Sequence, residues 1–372
     1  MSNIYLDYAA TAPVREDVAQ EMRAVLTSYW RNPSALYASG ESAKLAQYRQ
    51  QIAEQLQVRP QEIIFTAGAT EANNLIINGV MKQYPEGNLL ISCLEHDSIL
   101  LTAQQYSCQI IPVKDSKLDL NSFSGQVDDK TVLVSCILVS NETGAILPVR
   151  ELAKLVQKIR AKRRRLGNTT PLYLHTDVAQ GQYLNIMPQT LGVDALTINS
   201  SKLGGPKQAG CLYINSKLKL ASSLFGGGQE RGLRPGTEAL HQIAGFTSAL
   251  ISAQSSKQTE FARLKHLQQN FETNLLELGA KIVQAEVERS PHISMAIFLG
   301  NDNESLAYKL LAKQIEVGTG SACHATNGQL SHSLESLGYS RSEIRACIRF
   351  SYGYQTTQQE LDETVSALKE LL

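Results

Sequence analysis

Seven short runs rich in aliphatic and β-branched residues recur through the first two-thirds of the chain, with helical patterns between them. They are Ile63–Thr66, Leu89–Ser92, Gln109–Val113, Val132–Leu138, Leu172–His175, Ala195–Asn199 and Cys211–Ile214. This alternation predicts a mostly parallel, seven-stranded sheet in an α/β fold, with helices covering both faces. Leu152, Leu155, Val156 and Ile159 recur at helical spacing and predict an amphipathic crossover helix that ends in the basic run Lys162–Arg165. Cations suit a helix C-terminus, so the run reads as a solvated helix end in preference to a docking patch for an acidic partner. From Thr237 to Leu278 breakers are few, which predicts one long helix stopped by Gly279. A smaller α+β unit is expected to follow, with strands at Ile293–Leu299 and Ile348–Tyr352. Its last helix, Thr357–Leu372, opens on a capping box of Thr357 and Glu360. A chain of 372 residues has room for two domains. The expected division is a large domain over 15–255 and a small one combining 1–14 with 256–372.

Charge narrows the function classes. Lys plus Arg and Asp plus Glu both total 35, so no global field draws nucleic acid or anionic lipid to the surface. The six cysteines (Cys93, Cys108, Cys136, Cys211, Cys323 and Cys347) form no CxxC pair and lie near no histidine at zinc-like spacing, so no metal site is expected. The N-terminal residues lack a basic region followed by an apolar one, and the longest near-apolar run, Thr131 to Val139, is too short for a membrane span. The expectation is a cytoplasmic protein whose cysteines stay reduced.

Four segments carry chemistry. Thr66-Ala67-Gly68-Ala69-Thr70-Glu71 passes from strand to helix through small residues, a turn that offers free amides and a hydroxyl to a phosphate. His175-Thr176-Asp177 ends a strand with His175 and Asp177 on one face, where an aspartate of an open α/β sheet points into the ligand crevice or caps the next turn. Lys202 follows the apolar strand Ala195–Ile198 and precedes Gly204-Gly205-Pro206, so its amine is partly desolvated and its pKa lowered, as imine chemistry requires. About 25 residues separate it from Asp177. Together they supply the carboxylate and the amine that a pyridoxal 5′-phosphate enzyme uses. Finally, Cys323 sits in a small, polar stretch, Gly318 to Gly328, and is the candidate nucleophile, whereas Cys93, Cys136 and Cys211 lie in strand-like runs and are expected in the core.

In this order the residues resemble the class I (NifS/IscS-type) cysteine desulfurases of the class V aminotransferase family, fold-type I pyridoxal-phosphate enzymes. The motifs span nearly the whole chain: Leu6-Asp7-Tyr8-Ala9-Ala10-Thr11, Asn32-Pro33-Ser34, Gly68-Ala69-Thr70-Glu71-Ala72-Asn73-Asn74, Glu95-His96, Asn141-Glu142-Thr143-Gly144, Asp177-Val178-Ala179-Gln180, Gly227 to Thr237, Gly320-Ser321-Ala322-Cys323 and Ile348-Arg349-Phe350-Ser351. The resemblance implies that Lys202 forms the internal aldimine, that His96 stacks on the cofactor ring and that Asp177 keeps its nitrogen protonated. Gln180 would donate to the phenolic oxygen, with Asn141 beside it as a contact to both cofactor and substrate. Ala69, Thr70, Asn199 and Ser201 would lie at the phosphate, and Thr237 would reach the phosphate of a second subunit, making a homodimer. Arg349 and Asn32 would hold the carboxylate of L-cysteine. Cys323 would take the substrate sulfur as a persulfide on a mobile loop and pass it to an iron–sulfur scaffold or sulfur-carrier protein, leaving alanine. The same groups serve pyridoxal-phosphate C–S lyases, aminotransferases and selenocysteine lyases, and a degenerate, non-catalytic assembly subunit would retain the fold alone.

The chain departs from this family at one place. The family usually has Ser-Gly-His before the lysine, and here Asn199-Ser200-Ser201 stands there. A neutral hydroxyl in place of an imidazole predicts weaker cofactor retention. Gly204, where the family has a bulkier residue, is expected to loosen the loop.

Overall fold

Each of the seven expected runs supplies a strand to one sheet, although Gln109–Val113 does so only as far as Ile111 and its Val113 pairs with Leu118 in a separate hairpin. The computed structural model describes residues 3–319 and 330–372. In chain order the strands are β1 (Ile4–Leu6), β2 (Ile63–Thr66), β3 (Asn88–Ser92), β4 (Cys108–Ile111), β5 (Val113–Lys114), β6 (Lys117–Leu118), β7 (Thr131–Ser135), β8 (Tyr173–Asp177), β9 (Ala195–Asn199), β10 (Gly210–Ile214), β11 (Lys281–Ile282), β12 (Ile293–Ile297), β13 (Ile315–Val317) and β14 (Cys347–Ser351). The large sheet has the order β2-β10-β9-β8-β7-β3-β4. Only β10 runs against its neighbours.

Alternate residues of these strands feed two apolar layers. Ile63, Phe65, Leu90, Val134, Leu196, Ile198, Cys211 and Tyr213 face one layer, while Ile64, Leu89, Ile91, Leu212 and Ile214 face the other. A sheet buried on both faces needs near-continuous apolar strands, which is what the runs supply. Helices α1 (Glu16–Ser28) and α2 (Ser39–Leu56) cover the first face. Helices α3 (Ala69–Gln83) and α4 (Asp97–Ala103) cover the second. After the short α5 (Leu120–Gln126), the crossover helix α6 (Val149–Arg165) joins the first face and buries Leu152, Ala153 and Val156. The expected run Val132–Leu138 is a strand only as far as Ser135. Its apolar tail continues as a buried loop whose Cys136 and Leu138 amides bond to the His175 and Asp177 carbonyls.

The basic end of α6 is not uniformly solvated, which corrects the reading above. Lys162, Arg164 and Arg165 are exposed, but Arg163 is buried. Its guanidinium donates to the carbonyls of Thr170 and Pro171 at 3.2 and 3.1 Å and of Asp128 and Thr131 at 2.6 and 2.9 Å. It thereby ties the loop before β8 to the start of β7. Arg163→Ala is expected to destabilise the protein by about 3 kcal/mol, because four carbonyls lose their shared donor. Arg164→Ala should move stability by no more than about 0.5 kcal/mol. Urea unfolding of the two variants makes the comparison, and equal midpoints would refute the assignment.

Past the four-residue α7 (Pro188–Leu191), the long helix α8 (Leu240–Glu277) has 38 residues, close to the expected span. It stops where Gly279 turns left-handed (φ 83°), with the Gly279 amide bonded to Leu276 O at 2.9 Å and the Ala280 amide to Leu275 O at 3.1 Å. That paired closure is the glycine stop that the sequence implies. The C-terminal half of α8 packs Leu264, Leu267, Phe271 and Leu275 into a separate apolar cluster with Ile4, Leu6, Phe350, Tyr352 and Leu361. Strands β11, β12 and β14 form an antiparallel sheet there, and β1 pairs in parallel with β13. The last helix, Gln358–Leu371, carries the expected capping box: Thr357 N donates to Glu360 at 2.7 Å and Glu360 N to Thr357 Oγ1 at 3.3 Å.

Candidate active site

The parallel strands all deliver their carboxyl ends to one edge of the sheet, the edge at which open α/β sheets bind ligands. A cavity of about 300 Å³ lies there. The segments leaving β2, β3, β7, β8 and β9 supply Ala69 and Thr70, Glu95 and His96, Asn141, Asp177 and Gln180, and Asn199 and Lys202 respectively. Ala9 and Ala10 come from the N-terminal segment and Arg349 from β14. Of the residues singled out in the sequence, Ser201, Asn32 and Thr237 do not line it. Asn32 and Thr237 are exposed, and Ser201 is buried behind Asn199. Cys323 lies outside the described residues.

Gly68 opens α3 with φ 112°, a conformation that glycine adopts without strain. The first-turn amides of a helix have no partner within it and point at the cavity mouth. The Glu71 carboxylate accepts from the Ala67 amide and pairs with Arg234 at 3.2 Å, so charge in this turn is balanced. Asn199 Oδ1 accepts from the Ser201 amide at 3.4 Å and from its hydroxyl at 3.3 Å, which ties the two departing residues to each other. Gly204 sits in a close turn against Arg15. It has φ 79°, its carbonyl accepts from the Arg15 amide at 2.9 Å, and a Cβ there would sit 2.7 Å from Arg15 Cγ. Glycine takes that φ without strain and leaves room for the Arg15 side chain. The Lys202 amine donates to the carbonyl of Ala10, which holds the N-terminal segment against the cavity.

Two polar relays stand behind the lining residues. His96 Nδ1 accepts from the Ser98 amide at 3.1 Å and lies 2.9 Å from Ser98 Oγ. The ring therefore carries its proton on Nε2, and burial pushes its pKa down, keeping it neutral. Asn73 Nδ2 then donates both to Ser98 Oγ at 2.9 Å and to Asp177 Oδ2 at 2.8 Å. The other oxygen of Asp177 accepts from the Ala179 amide at 2.8 Å. His175, two residues before Asp177, is buried inside the sheet between Ser135 Oγ at 2.9 Å and Thr197 Oγ1 at 3.0 Å, and its role is to join three strands. Arg349, 4% exposed, donates from Nη2 to Asp7 at 2.8 Å and from Nη1 to the Asn141 carbonyl at 2.9 Å. Its Nε is buried and has no hydrogen-bond partner among the described residues.

Asp7, Asn73, Glu95 and His332 are functional-site residues that sequence reasoning did not single out. The first three sit inside motifs quoted above, and that is the signal that could have found them. His332 lines the cavity with Nε2 3.0 Å from the Glu95 carbonyl and has no such signal. Glu95 is fully buried, with Oε1 accepting from Ser92 Oγ and the Ile137 amide, both at 2.7 Å. Burial raises its carboxyl to about 8. Of the described cysteines, all five are free and none is an activated thiol. Burial pushes Cys93 and Cys347 up to about 12, Cys108 to about 11, and Cys136 and Cys211 upward as well.

These buried groups set a pH profile for stability. Glu95 holds its proton in the fold while the unfolded chain loses it near 4.5, so its contribution is complete below that pH and is lost as pH rises through about 8. Burial lowers His175 and His292 to about 3 from 6.5, so their contributions are complete above 6.5 and are lost as pH falls towards 3. The thermal midpoint is expected to peak near pH 6.5. Glu95→Gln should flatten the decline between pH 7 and 8, steepen the rise between about 4.5 and 6.5, and leave the limb below 4.5 unchanged. An unaltered decline in that variant, read by calorimetry across the range, would contradict the assignment.

The aminotransferase class-V family model matches residues 4–364. A protein named cysteine desulfurase IscS from Colwellia psychrerythraea is 33% identical over 98% of this chain and 92% of its own length. Among solved structures, a NifS-like protein superposes with a TM-score of 0.90 at 26% identity, covering 100% of this chain and 99% of that one. The NifS-like protein from Rickettsia africae ESF-5 gives 0.87 at 28% identity with the same coverage.

Proposed function

Since the chain belongs to the aminotransferase class-V family and is an enzyme of the cysteine desulfurase type, we propose that it converts L-cysteine to L-alanine, placing the sulfur on Cys323. The observation that carries this reading is the convergence of Lys202, Asp177, His96, Gln180 and Arg349 on one cavity.

The residues present fit pyridoxal 5′-phosphate. The first-turn amides of α3 and the Thr70 hydroxyl suit its phosphate, the His96 ring face its pyridine, Asp177 its ring nitrogen and Gln180 its hydroxyl. Once bound, the group supplies an aldehyde that condenses with amines and a ring that accepts an electron pair. Arg349, which lines the cavity, orients the substrate through its carboxylate, which a guanidinium matches in charge and shape. The Lys202 amine removes the proton from the substrate Cα and returns one to the carbon fragment. A thiolate at Cys323 attacks the substrate sulfur, so an S–S bond forms as the C–S bond breaks, and the fragment leaves as alanine after protonation. Elimination supports Cys323 in this role, because burial raises every described cysteine above the range of an effective thiolate.

The same reading includes a large domain at 15–255 with a small one formed by 1–14 and 256–372, a cytoplasmic location, and delivery of sulfur to an iron–sulfur scaffold or sulfur-carrier protein. It also includes a homodimer. Trp30, Tyr37 and Phe225 are 72%, 78% and 88% exposed, and a second copy covering them would account for these exposed aromatics. The test is release of alanine and sulfide from L-cysteine with added pyridoxal phosphate and a reductant. Cys323→Ala is expected to lose both products by at least ~100-fold. Alanine-free sulfide release that survives in the variant would assign a C–S lyase instead.

A further inference from the structure

The amide of Gln180 has one orientation that its neighbours accept. Its Nε2 donates to the Ala9 carbonyl at 2.9 Å, and a carbonyl only accepts, so the amide oxygen faces the other way. There it meets His292 Nε2 at 3.1 Å. An oxygen at that place requires a proton on Nε2. Burial keeps His292 neutral, so its ring carries one proton and Nδ1 must accept; Ser290 Oγ, 2.7 Å away, is the donor. All three residues are buried, at 3%, 0% and 0% exposure for Gln180, His292 and Ser290. Ser290 is anchored in turn by its amide to the Gly144 carbonyl at 2.8 Å and by Gln268 Nε2 to its carbonyl at 3.2 Å. The Tyr183 ring packs against His292 with centroids 5.2 Å apart, which fixes the imidazole plane. An amide nitrogen has two protons. Ala9 takes one, and the other remains for the cavity that Gln180 lines.

We propose that Ser290 and His292 are a positioning pair for this site, holding Gln180 so that its second amide N–H serves as a fixed donor to an anionic ring oxygen of the bound cofactor. The inference rests on the pyridoxal-phosphate reading above. Without the pair, Gln180 can rotate and present its oxygen to that anion, replacing attraction by repulsion. Neither residue lines the cavity; the pair reaches it by hydrogen bonding through Gln180, and Arg349 is the charged cavity residue whose field acts on His292.

The test uses the full-length protein and no substrate. The visible absorption band of bound pyridoxal 5′-phosphate and its dissociation constant are measured for wild type, His292→Phe, His292→Gln and Ser290→Ala, with thermal midpoints alongside. His292→Phe is expected to shift the band and weaken binding roughly tenfold, the size of one hydrogen bond to a charged group. His292→Gln, whose amide can donate to the same oxygen, should restore both. In a Gln180→Leu background His292→Phe should add nothing, a coupling that a purely structural role would not produce. If His292→Phe does not fold, Ser290→Ala keeps the ring, frees its tautomer and is expected to show the same changes at roughly threefold. An unchanged band and affinity in the folded variants, or the same loss in the Gln180→Leu background, would overturn the proposal. A wild-type protein that takes up no pyridoxal phosphate would overturn the functional reading, and this pairing with it.

Discussion

Lys202→Ala is expected to lower L-cysteine turnover by roughly 10³-fold or more, since in the proposed mechanism one amine serves as both nucleophile and proton acceptor. Lys202 is half-buried at the end of β9, and its amine reaches the Ala10 carbonyl across the cavity. Its position depends on Asn199 opening the short turn that follows the strand, and on Gly204 closing the loop against Arg15. Lys202→Arg should be equally inactive, because a guanidinium keeps the charge but cannot deprotonate at neutral pH. Neither substitution leaves a large cavity, so thermal midpoints should stay close to wild type. Steady-state alanine formation at saturating pyridoxal phosphate measures the effect. Turnover within tenfold of wild type in Lys202→Ala would remove the lysine from the chemistry.

The second large effect is at Asp177. This carboxylate is 2% exposed and takes hydrogen bonds from Asn73 Nδ2 and the Ala179 amide. Asp177→Ala takes an acceptor from two buried donors, the Asn73 amide and the Ala179 N–H, and removes the carboxylate proposed to face the cofactor's ring nitrogen. Turnover is expected to fall by roughly 10²–10³-fold, the range for removing a preorganised charge from a catalytic site. Stability should fall by about 1–3 kcal/mol from the orphaned donors. Asn73→Ala separates the two effects: it cuts the relay joining His96, Ser98 and Asp177 but keeps the carboxylate, so the loss of turnover should be much smaller. Equal losses in Asp177→Ala and Asn73→Ala, in parallel kinetic and calorimetric measurements, would mean that packing around the relay is what matters, not the charge.

The fold was legible wherever structure follows from near neighbours in sequence. Alternating apolar residues in Ile63–Thr66 or Ala195–Asn199 must face two covered layers, and Thr357 with Glu360 caps a helix that begins beside them. The small-residue turn at Gly68 and the lysine after β9 were legible for the same reason, since strand ends present their next residues at the ligand edge. Strand limits were less so. The apolar stretch after Ser135 reads as strand, yet it is a loop kept dry by the elements over it.

By itself, then, the sequence determined the strand set, the helix stops and caps, and which residue types stand at the sheet edge. Hydrogen bonds between residues three or four apart and the two-residue pleat carry that information locally. Only the tertiary structure decided which charges lose their water and whom they meet. Arg163 follows the pattern of an exposed helix end, but the loop before β8 folds over it. Arg349 finds Asp7 across 342 residues, and Gln180 finds His292 across 112. The raised carboxyl of Glu95 is set by complete burial, a sum over every element around it. Desolvation and partner choice depend on distant segments packed together, so no local pattern encodes them.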